Sequence, residues 1–285
     1  MNTVYLNGQF IPADQATISP LDRGFLFADG VYEVIPVYHG KPFRLTEHLD
    51  RLQYSLSEVS IENPYSHEQW SVIIQQLIDK NNGGHQGLYL QVTRGSCAIR
   101  SHEHPEDIST TVFAMCSAIP APMQKAPENP KTYKAITLED IRWHRCDIKS
   151  VSLLPNTLMK QQAKEAGADE ALLLRDGKLT EGSSSNVFII SNNQLLTPAK
   201  SHFILGGITR DLVIELCKKH DITLLETDIT EQQLLQAEEI WVCSSTREII
   251  PVTELNGQPV GTGKIGNHWH QIIELYLDYK QELIG

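Results

Sequence analysis

The chain has 285 residues, of which 41% are hydrophobic, so it is long enough for two domains or for one large domain with a substantial core. Its formal net charge of −11 argues against non-specific binding to nucleic acid or to anionic membranes, because such binding needs a basic face. We therefore expect small molecules as its partners.

The cysteines indicate a reducing compartment, and the N-terminal segment indicates that no targeting peptide is removed. The five cysteines are widely spaced and contain no C-x-x-C pair, so neither a disulfide framework nor a thiolate metal site is expected. The first residues lack a basic stretch followed by an apolar core, and no window approaches about eighteen consecutive apolar residues. The sequence predicts a soluble, unprocessed, cytoplasmic protein.

Two turn pairs near the N-terminus predict β-hairpins. Asn7-Gly8 divides the segment 4–11, and His39-Gly40 divides the segment 31–45. Two further strands are predicted over residues 87–93 and 110–115.

Two helices are predicted after the second hairpin. Thr46 is expected to cap the first, and Ser66 with Gln69 forms a capping box for the second, which should end near Gly83. Each helix carries apolar residues at helical spacing: Leu49, Leu52, Leu56 and Val59 in the first, and Trp70, Ile73, Ile74 and Leu77 in the second.

Four prolines mark the predicted domain boundary. A stretch this rich in proline suits neither a helix interior nor a central strand. We predict an N-terminal domain over residues 1–119, a linker over 120–130 that holds Pro120, Pro122, Pro127 and Pro130, and a C-terminal domain over 131–285.

The C-terminal half alternates strands and helices. A helix is predicted over 156–166 with Gly167 as its left-handed stop, and a hairpin over 171–180 around Asp176-Gly177 places Glu181 at a strand end. The other predicted elements are a strand over 187–191, a short strand ending at Pro198, a helix after Thr209, a helix begun by the Thr230 and Gln233 box, a strand over 239–242 and a helix from about His268.

Two polar segments carry groups that pyridoxal phosphate requires. Lys149 lies in the run 141–150, and Glu181 begins the stretch 181–186, Glu-Gly-Ser-Ser-Ser-Asn. The cofactor needs a lysine to hold its aldehyde as a Schiff base and a partner at its pyridine nitrogen. Alone, the lysine is typical of a solvated surface and the stretch is typical of a polar turn. Only the pair favours a cofactor site.

Two turns are candidate phosphate sites. Residues 206–211 lead into an apolar helical pattern and place free N–H groups and the Thr209 hydroxyl at a helix N-terminus. Residues 243–247 place three hydroxyls after a strand. The alternative interpretation is an ordinary turn in each case, with Thr209 as a helix cap. Serine-hydrolase, dinucleotide and Walker fingerprints are absent from the sequence.

A basic loop offers a carboxylate site. Arg100 and His102 suit a carboxylate because arginine binds both oxygens and histidine adds a third donor, although a solvated loop is the alternative. Histidine pairs two residues apart could bind a metal, but no third ligand follows at a suitable spacing. No metal site is therefore predicted at His102 with His104 or at His268 with His270.

Seven segments together carry a family resemblance. In chain order they are 22–25, 29–34, 47–52, 91–95, the run to Ser150, 181–188 and 207–211. From about residue 4 to residue 260 the chain resembles the fold type IV pyridoxal phosphate enzymes, and among them the D-amino acid aminotransferases. Arg247 departs from the family pattern, which has a small polar residue at that position.

The resemblance implies an α+β fold, with a small N-terminal α/β domain, a larger β-rich pseudobarrel domain with helices, and pyridoxal 5′-phosphate in the cleft between them. Lys149 would carry the Schiff base and Glu181 would pair with the pyridine nitrogen. The other implied cofactor-binding residues are Arg51, Ser184, Leu205, Ile208, Thr209, Ser244 and Ser245, and the implied substrate-binding residues are Tyr32, Arg100 and His102.

The resemblance also implies an activity and an assembly. The activity is transamination between D-amino acids, such as D-alanine or D-glutamate, and 2-oxo acids. The assembly is a homodimer in which the loop of Arg100 and His102 reaches the neighbouring subunit's site. Branched-chain L-amino acid aminotransferases and aminodeoxychorismate lyase share the lysine and the glutamate, so they remain alternatives. A non-catalytic phosphometabolite binder would leave Arg100 and His102 without a role.

Overall fold

The computed structural model describes residues 2–121, 125–127 and 129–284. They form two compact units, the first built from residues up to 121 together with 148–152, and the second from most of the remaining chain. The predicted linker over 120–130 includes Pro122, which lies outside the described residues together with 123, 124 and 128. Residues 148–152, which include Lys149, lie within the stretch 131–285 of the sequence but belong to the first unit.

The first unit contains a six-stranded antiparallel sheet. Its strands are β1 (Thr3–Leu6), β2 (Gln9–Pro12), β3 (Gly30–Tyr38), β4 (Lys41–Pro42), β5 (Gln86–Thr93) and β6 (Thr111–Ala118), in the order β2-β1-β6-β5-β3-β4. Both predicted hairpins are confirmed. Asn7-Gly8 and His39-Gly40 adopt the positive φ angles that a tight two-residue turn requires.

The helices of the first unit are α1 (Arg23–Phe27), α2 (Leu45–Glu58) and α3 (His67–Lys80). The Ser66 and Gln69 capping box is confirmed at α3. The Thr46 cap is wrong, because α2 begins two residues earlier than that cap requires, after Arg44 in the left-handed conformation, where no described side chain caps the helix. Arg44 instead pairs with Glu47 at 2.8 Å. Leu49, Leu52, Leu56, Trp70, Ile74 and Leu77 enter the core as predicted, while Val59 and Ile73 are partly buried.

The second unit contains a nine-stranded mixed sheet. Its strands are β7 (Tyr133–Glu139), β8 (Glu170–Arg175), β9 (Lys178–Gly182), β10 (Asn186–Ser191), β11 (Gln194–Thr197), β12 (Leu224–Glu226), β13 (Glu239–Ser244), β14 (Glu248–Leu255) and β15 (Gln258–Pro259). The order is β12-β11-β10-β13-β14-β7-β8-β9, with β15 beside β14. The strands β7 and β14 occupy its middle and were not predicted from the sequence. They pair in parallel with each other, although they are far apart in the chain.

The helices of the second unit are α4 (Leu154–Glu165), α5 (Ile208–Lys219), α6 (Glu231–Leu235) and α7 (Asn267–Ile284). The Gly167 stop and the Thr230 and Gln233 capping box are confirmed. The start of α7 is fixed by Glu239, whose carboxylate accepts hydrogen bonds from His268 N and Trp269 N, each at 3.0 Å. None of the described helices is both long and apolar enough to cross a bilayer. The mixture of helices with largely antiparallel sheets confirms the α+β class.

Candidate active site

Lys149 lies beside β3 in the first unit. Tyr32 N donates a hydrogen bond to Lys149 O at 2.9 Å, and Lys149 N donates one to Ser55 Oγ at 3.2 Å. The lysine side chain is half-buried, with its Nζ 4.2 Å from the centroid of the Tyr32 ring. Tyr32 in turn stacks on Tyr89, with 5.6 Å between ring centroids. The structure therefore brings the predicted lysine and the predicted substrate-binding tyrosine into contact.

Arg51 is held by a buried carboxylate that sequence reasoning missed. Arg51 Nε and Nη2 donate to the two oxygens of Glu33, each at 2.8 Å, and His48 Nδ1 lies 2.7 Å from Glu33 Oε2. Burial acts to raise the pKa of Glu33, but Arg51 and His48 hold it well below its ordinary range. Glu33 is thus an ionised anchor that orients Arg51.

His48 presents a second nitrogen with no protein partner. Its Nε2 is buried and has no hydrogen-bond partner among the described residues, so it suits a water or ligand atom. Burial lowers the pKa of His48 and favours the neutral ring. A sequence signal existed for this cluster, because His48 and Arg51 are three residues apart on α2 and Glu33 interrupts an apolar strand.

Arg100 and His102 lie on an exposed loop between β5 and β6. Arg100 Cζ is 4.6 Å from the centroid of the Phe27 ring, and the His102 ring centroid is 5.3 Å from it. The structure brings the predicted carboxylate-binding pair together on one aromatic ring.

Glu181 is the buried centre of a hydrogen-bond network in the second unit. Oε1 accepts a hydrogen bond from Arg142 Nη1, and Oε2 accepts from Asn186 Nδ2 and from Leu205 N, each at 3.0 Å. Burial raises the pKa of Glu181 and outweighs the opposite effect of Arg142. The network fixes the carboxylate and brings together two predicted cofactor-binding residues, Glu181 and Leu205.

Arg142 is a further functional candidate that the sequence reasoning missed. Its Nε and Nη2 form a two-pronged pair with Asp140 at 2.8 Å, and Nη2 also donates to Phe203 O at 3.1 Å. Asp140 compensates the positive charge of Arg142, so the buried arginine does not need Glu181 for its charge balance. The signal was available, because Arg142 lies in the same short run as Lys149.

The start of α5 joins this network through a close approach. Among the described residues no side chain caps the helix, so Thr209 is not the cap that the alternative interpretation required. A Cβ on Gly207 would lie 1.9 Å from Asn186 Oδ1, so glycine is needed for the loop to approach Asn186. The uncapped N–H groups of Ile208 and Thr209 therefore remain a favourable site for an anion.

Arg247 links the two serine turns of the second unit. Its Nη2 donates to Ser184 O and Ser184 Oγ, both at 2.7 Å, and its Nε donates to Ser244 Oγ at 3.1 Å. Its Nη1 donates to Glu170 Oε2 at 3.2 Å, and Glu170 is fully buried. Ser184 and Ser244 are thus held together, with Ser245 in the turn that follows β13. The departure from the family pattern at Arg247 has a structural role.

We expect Arg247→Ala to lower the free energy of unfolding by about 1–3 kcal/mol, because the buried Glu170 carboxylate loses a charged donor. Lys134→Ala is the control, since it removes an exposed ion pair with Glu254 and should cost no more than about 1 kcal/mol. Urea denaturation measures both. Equal losses in the two variants would contradict the structural role of Arg247.

Comparisons with known proteins decide the family. Amino-transferase class IV matches residues 30–255. The chain belongs to this family. A D-alanine aminotransferase from Bacillus licheniformis is 41% identical over 92% of this chain and 92% of that protein. The predicted membership of the fold type IV aminotransferases is thereby confirmed, and with it pyridoxal 5′-phosphate as the cofactor.

Solved structures of this aminotransferase family share the fold. A branched-chain aminotransferase from Thermoproteus uzoniensis, solved with norvaline, superposes with a TM-score of 0.88 at 25% identity, covering 99% of this chain and 96% of that one. The branched-chain amino acid aminotransferase from Escherichia coli gives a TM-score of 0.85 at 24% identity, covering 95% of this chain and 92% of that one.

The residues of the second unit fit the aminotransferase cofactor. A carboxylate has about four acceptor positions. Three protein donors fill three of the positions on Glu181, so one remains for a protonated pyridine nitrogen. The uncapped start of α5 suits a phosphate dianion. Asn186 links the two features, because it donates to Glu181 Oε2 and to Leu205 O, and Gly207, directly before α5, approaches its Oδ1 closely.

Proposed function

We propose that this class IV aminotransferase transfers amino groups between D-amino acids, of the D-alanine and D-glutamate type, and 2-oxo acids. The observation that carries the proposal is that Arg100 and His102 lie on one exposed loop and contact the same Phe27 ring, an arrangement that suits capture of an α-carboxylate. The relative from Bacillus licheniformis, named a D-alanine aminotransferase, supports the same choice.

Lys149 is the proposed general base. When bound, pyridoxal 5′-phosphate supplies an electron sink for the bond that breaks at the substrate α-carbon. The Lys149 amine takes the α-proton and later returns it, and its contact with the Tyr32 ring gives it a defined position for this transfer. Glu181 holds the proton at the pyridine nitrogen, because its buried carboxylate is fixed by Arg142, Asn186 and the Leu205 main chain.

The residues proposed as phosphate ligands are of two chemical kinds. Arg51 supplies the positive charge, and Glu33 fixes the direction of its guanidinium. The N–H groups of Ile208 and Thr209 and the hydroxyl of Ser245 supply neutral donors. Leu205 is the proposed packing surface for the ring, with Ser184 and Ser244 beside it.

We further propose that the active unit is a cytoplasmic homodimer. Phe25 and Ile99 are 76% and 74% exposed, and Ile99 lies in the loop that carries Arg100, so each side chain offers an apolar contact to a second copy of the chain. The five cysteines are all free, which fits a reducing compartment. A verified monomer should be inactive.

Branched-chain L-amino acid transamination is the second candidate, because the branched-chain aminotransferase from Thermoproteus uzoniensis superposes with a TM-score of 0.88. Purified protein should be assayed with both enantiomers of alanine, glutamate and leucine, using 2-oxoglutarate and pyruvate as acceptors. The D-specific proposal requires strong preference for D-alanine or D-glutamate. Equal or faster turnover of L-leucine or L-glutamate would favour the second candidate.

Arg100→Ala should raise KM for D-alanine and lower kcat/KM by about 30- to 5,000-fold, because a desolvated two-pronged pair with a carboxylate is worth about 2–5 kcal/mol. The cofactor absorbance should not change. His104→Ala, on the same exposed loop, is the matched control and should stay close to wild type. Unchanged kinetics in Arg100→Ala would remove this arginine from the carboxylate site.

A further inference from the structure

The loop that carries Arg100 and His102 is closed at its base. Gly95 has a φ of +105°, and a Cβ there would lie 1.9 Å from Ser109 O, so the two ends of the loop meet closely. Gly95 O accepts a hydrogen bond from Arg23 N at 2.8 Å. The first residue of α1 therefore touches the loop where it begins.

The Arg23 side chain also donates hydrogen bonds to main-chain carbonyls in the middle of the loop. Its Nη1 donates to Ser101 O at 2.6 Å and to Glu103 O at 3.3 Å, and its Nη2 donates to His102 O at 3.5 Å. Its Nε donates to Asp29 Oδ2 at 2.7 Å, so the Asp29 carboxylate fixes the orientation of the guanidinium. These carbonyls belong to the residues that directly follow Arg100.

Arg23 and Arg100 share one aromatic ring. Arg23 Cζ lies 4.7 Å and Arg100 Cζ 4.6 Å from the centroid of Phe27, whose ring also contacts His102. Arg23 is 4% exposed, whereas Arg100 and His102 are exposed. A buried arginine thus supports two exposed side chains both through their main chain and through a common ring.

We propose that Arg23 is a positioning residue that sets the geometry of Arg100 and His102 for the substrate carboxylate. The inference rests on the proposed function, because it takes this pair as the carboxylate site. An exposed loop of about fifteen residues has many conformations, and binding is weakened when the loop must be ordered at the moment of capture. The hydrogen bonds from Arg23 order this loop before the substrate binds.

Arg94 provides an internal control for this role. It is also nearly buried and also pairs with Asp29, with Nε to Oδ2 at 2.8 Å and Nη2 to Oδ1 at 3.0 Å. Its remaining bonds go to Val59 O and Ser60 O, at the end of α2, and not to residues 101–103. The two arginines therefore have similar burial and the same carboxylate partner, but they bind the main-chain carbonyls of different segments.

The test compares Arg23→Lys with Arg94→Lys in the cofactor-loaded enzyme. Both substitutions keep a positive charge beside Asp29 and remove the fork of donors, so both should lower Tm by similar amounts. Only Arg23→Lys should raise KM for D-alanine, and the inhibition constant of propionate, by about 10- to 100-fold. Its kcat at saturating substrate and its cofactor absorbance should change much less. Arg94→Lys should keep KM within about twofold.

Equal KM values in the two variants would overturn the positioning role, as would a wild-type KM in Arg23→Lys. If Arg23→Lys does not fold, Phe27→Leu tests the other half of the proposal, because it removes the ring that Arg23 shares with Arg100 and His102. It should raise KM about two- to fivefold, and a wild-type KM would overturn positioning through this ring. Failure of the proposed function is a separate result: the wild type would then not transaminate D-alanine, or Arg100→Ala would leave KM unchanged.

Discussion

Lys149→Ala should lower the rate of transamination by at least about 100-fold, because it removes the only amine proposed to move the substrate α-proton. Borohydride treatment of the wild-type holoenzyme should attach the cofactor irreversibly to this residue, and peptide mapping should recover the label on Lys149. The contact between Lys149 Nζ and the Tyr32 ring, at 4.2 Å, gives the amine a defined position for this chemistry.

The matched control is Lys164→Ala, since Lys164 lies exposed in the last turn of α4 and has no proposed role. It should retain wild-type activity and the same label. Recovery of the label on Lys160 or Lys164, or full turnover by Lys149→Ala, would refute the assignment.

Glu181→Gln should separate cofactor binding from catalysis. We expect the rate of α-proton removal to fall by roughly 10- to 1,000-fold, because a neutral amide stabilises a protonated pyridine nitrogen much less than a carboxylate does. The cofactor should remain bound through its phosphate. The variant should also fold, because Arg142 keeps its two-pronged pair with Asp140 when the charge of Glu181 is lost. Single-turnover absorbance changes with D-alanine measure the rate.

Glu239→Gln distinguishes this chemical effect from the general effect of changing a buried glutamate. Glu239 is also buried, but it accepts hydrogen bonds from the first N–H groups of α7. Its substitution should lower Tm, because the helix loses a charge-assisted bond, and it should leave the single-turnover rate unchanged. A full single-turnover rate in Glu181→Gln would eliminate the proposed role of Glu181.

Local elements were predictable from the sequence because their causes are local. The hairpin at Asn7-Gly8 depends on two residues that tolerate positive φ, and the start of α3 depends on reciprocal bonds between Ser66 and Gln69. The failure at Thr46 has the opposite origin. There, the chain enters α2 shortly after β4 through a left-handed Arg44, a backbone conformation that the capping pattern in the helix sequence does not indicate.

The sequence by itself determined the α+β class, the family and the identity of the residues proposed for chemistry, because the segments around Lys149 and Glu181 are distinctive and short. Only the tertiary structure decided which groups fix them. Arg51 meets Glu33 across a helix and a strand, Arg142 meets Glu181 from 39 residues away, and β7 finds β14 as a parallel neighbour. Such contacts depend on burial and on long-range pairing, which no pattern within a short window of residues encodes.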